Sequence, residues 1–472
     1  MDKPKETAVH KLSAQELLTA YKQRTLSPVD VMQATLDRVE RLNPQLNALY
    51  HLAPEQALAE ARESEQRWLK GQPKGLLDGI PTSVKDALPV SGMPVYRGSA
   101  ATADSGEYPK ENCPAVDRLQ EQGAIVYGKS TMCDFGILPA GYSSRFGPTR
   151  NPINPAFNTG GSSSGAAAAV AAGFEPLSLG TDIVGSIRLP ASFCGLYGLK
   201  PSQGRVPYYF PNNPALVAGP MTRTVADAAL MMNVITQPDK RDFTALLYDK
   251  VNYLDFLDKR PRNATVGLLT DLGFGTPVDS EVAKAVQSAG EAFRELGFAV
   301  QEIASPFREA DERCAERYYM GRCSAEFHNC AEAQKPRAEV IQQWVTDIAD
   351  HSATAFFNDW LAMQKLREKA YQMMADVDFL LLPSVPVPAY AGELPAADPD
   401  KLFEPWVNNF LFNLTGQPAA SINCGYTEAG LPIGLQIVGK RFDDLGVLQM
   451  SALFEKAFVE QNGTPVLAGL EL

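Results

Sequence analysis

The chain has 472 residues, beyond the roughly 250–300 at which one core stops growing, so it holds two or three domains or one large α/β unit. A formal charge of −12 speaks against unaided binding of nucleic acid or of an anionic membrane, since both need basic patches. No run approaches the ~18 apolar residues of a membrane span, the N-terminus lacks the apolar stretch of a signal peptide, and seven cysteines without a CxxC fit a reduced, cytoplasmic chain.

Residues 1–70 read as a helical layer. Ser13 and Glu16 form a capping box ahead of Leu17 and Leu18. Ser27 caps a second helix whose first position is Pro28, with Val31, Thr35, Val39 and Leu42 at near-helical spacing. A third helix runs from Pro54 to about Gly71. Residues 79–86, Gly-Ile-Pro-Thr-Ser-Val-Lys-Asp, hold a short apolar strand that ends on Lys85. By base rate such a lysine sits at the surface, and a buried one needs a partner.

A helix over 116–122 stops at Gly123, and a buried strand follows over 124–127. Gly123 and Gly128-Lys129-Ser130 match the letters of a phosphate-binding loop. The four residues between them read as strand, where that motif needs a loop, so the match is set aside. Residues 142–158 form a long loop rich in Pro, Asn, Arg and Gly. Thr224 caps a helix over 225–235.

Further on, a strand covers 265–269. Asp279 or Ser280 caps a helix carrying Val282, Val286, Ala289, Phe293 and Leu296, stopped by Gly297. Another strand covers 298–303. Residues 311–375 look helical and carry Cys314, Cys323, His328 and Cys330; their spacing fits no zinc pattern, so they read as core residues and no metal is expected. A strand over 377–382 precedes a proline-rich, acidic, exposed loop over 383–405 and a turn over 413–418. A strand over 432–438 and a helix over 445–458 close the chain. With no repeat and no clean linker, the sequence predicts one large α/β unit with a mixed sheet.

Between 158 and 190 lies NTGGSSSGAAAAVAAGFEPLSLGTDIVGSIRLP, two serine-bearing glycine turns around an alanine-rich helix and a short strand. Gly161 to Gly165 fit the letters of a G-x-S-x-G nucleophile elbow, with Ser163 at its centre. That elbow needs a strand directly before it, and the two prolines of NPINPAFNT forbid a central one. No serine has a lysine three residues on, which removes the S-x-x-K arrangement. What remains is a non-histidine base, Lys85, and the glycine-turn serines. A buried lysine loses its proton readily and can act as a base near neutral pH. Ser186 follows a turn over 182–185 whose N–H groups can converge on an oxyanion, each such donor supplying about 10²–10³ in rate. These residues permit a Ser-Ser-Lys relay without demanding one.

The stretch 158–190 resembles the amidase signature. So do DGIPTSVKDALPVSGMPVYRGS, GAIVYGKSTMCDFG, FGPTRNPINP, FCGLYGLKPSQGRVP, GPMTRTVADAAL, NLTGQPAAS and GLPIGLQIVG, in the family's order. The likeness spans most of the chain apart from about 236–262 and 305–375. It implies an α/β fold, one amidase-signature unit over 1–472 with a central mixed β-sheet surrounded by α-helices. It further implies a triad of Ser186 as nucleophile, Ser162 as bridging serine after a cis peptide, and Lys85 as base. Backbone amides of Ile183, Val184, Gly185 and Ser186 are the implied oxyanion hole. Ser163 is expected to orient the lysine, and Thr181, Asp182 and Arg188 to brace the turn.

Two departures from the family stand out. Val184 occupies a position that is usually glycine, and its β-branch restricts the turn. Cys133 and Asp134 replace a frequent Pro-Glu pair and, with Met132, are expected to line the acyl pocket, whose remainder the helical region 305–375 shapes. The resemblance implies a small-molecule amide, ester or anilide substrate, no cofactor and a homodimer. The alternative is the A subunit of a tRNA-dependent amidotransferase, a glutaminase within a complex; that protein carries glutamine where this chain has Leu189.

Overall fold

The computed structural model describes residues 9–208, 215–308, 311–348 and 350–462, so part of the N-terminal stretch expected to lack a signal peptide lies outside the described residues. The first helices begin where capping chemistry places them. Ahead of α1 (Ala14–Gln23), Ser13 Oγ accepts from the Glu16 N–H at 3.2 Å while Glu16 accepts from the Ser13 N–H at 2.8 Å. Ser27 caps α2 (Pro28–Leu46), which has proline at its first position. The 1–70 layer is not all helix, however. Between α2 and α3 (Pro54–Leu69) lies β1 (Leu49–Leu52), an edge strand with a bulge between Leu49 and His51. Four residues pairing on one side carry too short a pattern to read as strand.

The chain continues through β2 (Pro81–Lys85), α4 (Pro114–Glu121) and β3 (Ile125–Ser130). A two-residue hairpin, β4 (Tyr142–Ser143) and β5 (Gly147–Pro148), interrupts the predicted long loop. Then come α5 (Ser164–Ala171), β6 (Leu177–Asp182), α6 (Arg188–Phe193), β7 (Tyr197–Lys200), β8 (Val217–Thr222) and α7 (Val225–Ile235). The second half holds β9 (Thr265–Leu268), α8 (Ser280–Glu295), β10 (Ala299–Glu302), α9 (Glu312–His328), α10 (Glu339–Asp347) and α11 (Ala353–Gln372). It ends with β11 (Phe379–Pro383), α12 (Val407–Leu414), β12 (Ala419–Tyr426), β13 (Pro432–Gly439) and α13 (Asp444–Asn462). Where 413–418 read as a turn, that turn is the junction between α12 and β12.

Eleven strands form one mixed sheet in the order β1-β3-β2-β6-β8-β7-β12-β13-β11-β9-β10. Its β2, β3 and β6 are mutually parallel, as are β9, β10 and β11, while the centre is antiparallel. Alternation along a strand sends neighbours to opposite faces. Phe379 and Leu381 enter the apolar cluster built on α1, α4, α7, α8 and α13; Leu380 and Leu382 enter the one built on α6 and α9 to α12. No described helix is long and apolar enough to cross a membrane.

The segment 383–405 is not an exposed loop. Residues 383–386 and 402–405 are buried, the Tyr390 hydroxyl donates to the Pro139 carbonyl at 2.6 Å, and the Tyr390 carbonyl accepts from Asn158 N–H at 2.7 Å. Proline and acidic content reads as solvent-facing, yet Val385, Ala389, Leu402 and Phe403 anchor the segment in the second cluster.

Candidate active site

Two parallel strands bring the first pieces together. Strand β2 lies beside β6 with Val84 opposite Leu179, so Lys85 and Thr181-Asp182 meet at the carboxyl ends of neighbouring strands. Such ends are where ligands bind in α/β sheets. Ser162 and Ser163 lie in the turn that opens α5, whose eight residues are all buried. Its Gly and Ala residues allow the backbone to lie against its neighbours. A Cβ on Gly165 would stand 2.2 Å from the Ala48 carbonyl oxygen and 2.4 Å from the Thr131 nitrogen. Gly165→Ala is therefore expected to push α5 off the sheet and lower stability by about 1–3 kcal/mol. A thermal-shift measurement should read this as a loss of several degrees in Tm.

Lys85 is fully buried. Its Nζ donates to Ser162 Oγ at 2.7 Å, Ser163 Oγ at 2.8 Å and Thr181 Oγ1 at 2.9 Å. All three partners are hydroxyls, and desolvation by burial lowers the lysine pKa to about 7. Ser163 in turn donates to the Thr181 carbonyl at 3.2 Å and accepts from the Thr181 N–H at 3.3 Å. Its proton is thus committed, and towards Lys85 it accepts. A neutral amine has two protons to give and one lone pair. With Ser163 and Thr181 as acceptors, Ser162 is left to donate its hydroxyl proton to that lone pair. The Gly161–Ser162 peptide is cis.

Ser162 and Ser186 both open on a cavity of about 280 Å³, with Thr181 and Ile183 beside them. Each serine is only 3% exposed. The two turns are also joined through the backbone, since the Ser163 N–H donates to the Ser186 carbonyl at 3.2 Å.

Beneath the second turn lies an ion pair with no solvent contact. Arg188 gives Nε and Nη2 to the two Asp182 carboxylate oxygens at 3.0 and 2.9 Å. It also donates to the Asn409 carbonyl at 2.9 Å, to Gln436 Oε1 at 2.6 Å and to Asn413 Oδ1. Burial pushes the Asp182 pKa up, but Arg188 outweighs it and holds the carboxyl at about 2. Asp182 then accepts from the N–H groups of Gly185 at 2.8 Å and Ile187 at 3.1 Å. The Gly185 amide, counted among the expected oxyanion donors, is thus engaged by Asp182. Gly185 has φ +129°, and a Cβ there would lie 2.6 Å from Asn409, so its glycine serves the turn's fit. The Val184 side chain is fully buried in the second apolar cluster, which accounts for a branched residue at that position. Breaking the pair by Arg188→Ala strands a buried carboxylate and is expected to cost about 3–5 kcal/mol, measurable by urea unfolding.

Of the three expected pocket residues only Met132 lines the cavity. Asp134 faces the other way, accepting from the Ser144 N–H at 2.7 Å and from its hydroxyl. Cys133 Sγ donates to the Leu138 carbonyl at 3.2 Å, and burial pushes its thiol up to about 12. The run 132–134 leads into the short helical turn at 134–136, so only its first side chain reaches the cavity. Phe135 and Gly136 line it instead. From α9, Tyr319 and Arg322 enter the cavity. Leu189 does not; it is buried over Gly160, where a Cβ would come within 2.3 Å of it. Lys129, from the discarded phosphate-loop match, is buried in β3 and donates to the Leu88 carbonyl. Among the described residues no group of three or more His, Cys, Asp or Glu is placed to hold a metal ion; His328 Nδ1 pairs with the Ser324 carbonyl at 2.8 Å.

Sequence reading missed α12. Trp406, just before it, donates from Nε1 to the Gly161 carbonyl at 3.4 Å, and Asn409 and Asn413 complete the Arg188 network. Three asparagines within the eight apolar-rich residues VNNFLFNL were the available signal, because buried amides must be paired.

A family model described as Amidase matches residues 30–448. The chain belongs to the amidase signature family. It is thus an enzyme of the class that hydrolyses C–N bonds of amides. It is 34% identical to the A subunit of the Glutamyl-tRNA(Gln) amidotransferase of Gloeobacter violaceus, over 94% of this chain and 96% of that protein. Among solved structures it is similar to a bacterial aryl acylamidase of the amidase signature family, with TM-score 0.90, 31% identity and coverage of 98% of this chain and 100% of that one. The A subunit of the Glutamyl-tRNA(Gln) amidotransferase of Thermotoga maritima aligns with TM-score 0.76 and 26% identity, over 95% of each chain.

Proposed function

We propose that this chain is a stand-alone amidase that cleaves a carboxylic amide through an acyl-enzyme on Ser186, with Ser162 as proton relay and Lys85 as base. The observation that carries the reading is the fully buried Lys85 with three hydroxyl partners and a pKa near 7, one hydroxyl away from the cavity that Ser186 faces. Neutral Lys85 takes the Ser162 proton as Ser162 takes that of Ser186. Ser186 Oγ adds to the carbonyl carbon, and the oxyanion forms against the N–H groups of Ile183, Val184 and Ser186. Ser162 then protonates the leaving nitrogen, the C–N bond breaks, and water releases the acyl group by the same relay. Ser163 and Thr181 fix the lysine, while Asp182 and Arg188 fix the turn.

A second reading, the glutaminase subunit of a tRNA-dependent amidotransferase, is favoured by the name of the Gloeobacter relative. Of the two structural likenesses, the stronger one, to an aryl acylamidase, favours the first. Leu189 discriminates less than its position in the sequence suggests, because it does not face the cavity. Purified protein alone should hydrolyse simple amides and anilides. Release of ammonia from glutamine only when partner subunits and charged tRNA are supplied would establish the second reading.

A further inference from the structure

The cavity beside Ser162 and Ser186 carries two guanidinium groups, Arg97 and Arg322. Both are tied to one carboxylate. Arg322 Nη1 pairs with Glu326 Oε1 one helical turn further along α9, and Arg97 Nη2 lies 2.5 Å from Glu326 Oε2. Two cations thus share one carboxylate, with side-chain exposures of 18% for Arg322, 17% for Glu326 and 40% for Arg97. Glu326 does not itself line the cavity, and the acidic residue that does, Glu107, is exposed and screened by solvent. Asp86 and Asp134, close by in the chain, are engaged elsewhere: Asp86 by the Tyr50 hydroxyl and the N–H groups of Tyr96 and Gly98, Asp134 by Ser144.

The two arginines are also held in place. Arg322 Nη2 donates to the Phe135 carbonyl at 3.3 Å, and its guanidinium carbon stands 5.0 Å from the centre of the Tyr319 ring. Arg97 adopts φ +52°, a left-handed conformation costly for a side chain of this size, and its carbonyl accepts from Phe135 N–H at 2.9 Å. Despite these contacts, the Nε atoms of both arginines are buried and have no hydrogen-bond partner among the described residues. An unpaired buried donor on a charged group is costly unless something arrives to accept from it.

Resting on the amidase reading, we infer that the substrate carries a carboxylate, remote from the scissile amide, that is bound by Arg322 with Arg97. A carboxylate placed between the two guanidiniums completes an alternating set of two cations and two anions. It presents the planar pair of oxygens that a guanidinium fork matches. The arginines are specificity-determining residues; they take no part in bond making.

Two pairs of substrates test this. Glutaric acid mono-4-nitroanilide and 5-methylhexanoyl 4-nitroanilide differ by carboxylate against isopropyl on the acyl side; 4-acetamidobenzoate and 4-isopropylacetanilide differ likewise on the amine side. The carboxylate member of at least one pair should have the higher kcat/KM by about tenfold or more. In Arg322→Met that ratio should collapse towards one, and Arg322→Lys should restore part of it; the neutral member controls for any loss of fold. Calorimetric binding of the same compounds to Ser186→Ala reads recognition without turnover. Equal kcat/KM and equal binding within both pairs overturn the inference, and turnover of the neutral anilides then leaves the amidase reading standing. Preferential carboxylate binding without any turnover supports the inference and overturns the amidase reading.

Discussion

Replacing Ser186 by alanine is expected to abolish amide hydrolysis, by roughly 10⁶ in kcat if the three groups act as a unit. The fold should survive. Ser186 is enclosed in a turn held from below by Asp182 and Arg188, and its side chain is not among the groups that brace them. Loss of one hydroxyl at the cavity wall leaves no buried charge unpaired. The measurement is a pair: turnover of a 4-nitroanilide, and mass-spectrometric trapping of an acyl adduct. Wild type should gain the acyl mass on the peptide containing Ser186; Ser186→Ala should gain none, with its Tm within a degree or two of wild type. Retained activity, or an adduct on Ser162 or Ser163, would reassign the nucleophile.

The second large effect concerns Lys85. Its folded pKa of about 7 lies below the ordinary lysine value of 10.5, because burial disfavours the charged amine. The neutral form is the base, so kcat/KM should rise about tenfold per pH unit below 7 and level off above it. Lys85→Met should lower kcat by about 10²–10⁴ and remove that acidic limb. Lys200 provides the control. It too is fully buried with a pKa near 7, yet its Nζ donates to the Pro201 carbonyl at 3.0 Å and has no place in the hydroxyl relay. Lys200→Met should keep the limb; if it moves the limb and Lys85→Met does not, the base has been misassigned.

The same shift fixes the sign of a stability effect. Between about 7 and 10.5 the unfolded chain holds a proton on Lys85 that the folded chain has released. The contribution is complete above 10.5 and is lost as pH falls through that window to about 7, at ~1.4 kcal/mol per pH unit for one group. Lys85→Met should flatten the slope by one proton, read from urea midpoints across the window.

How much of this was written in the chain differs by element. Helices with side-chain caps, α1 at Ser13, α2 at Ser27 and α7 at Thr224, begin where local hydrogen bonding puts them, so their starts were legible. Strand β1 was not, since four residues with one pairing neighbour leave no lasting alternation. Helix α12 was hidden for another reason. Its asparagines look like turn formers, and only tertiary partners pair their buried amides: Asn408 and Asn409 donate to the Pro383 and Ser384 carbonyls, and Asn413 bonds Arg188 and Asp182. The run 132–134 shows the limit of reading a pocket from position: three adjacent residues point three ways, and one reaches the cavity.

By itself the sequence determined the family, the α/β class, and the serines and lysine on which the proposed chemistry rests, because motif letters and their spacing survive without coordinates. Only the tertiary structure decided that Lys85 is buried among hydroxyls. It also decided that the Gly185 amide belongs to Asp182, and that Arg97 and Arg322 meet across the cavity over one glutamate. Burial and pairing depend on what comes from distant parts of the chain. Lys85 and Ser162 are brought together by the parallel pairing of β2 with β6 and the close docking of α5, and Arg97 and Glu326 by α9 packing over the cavity.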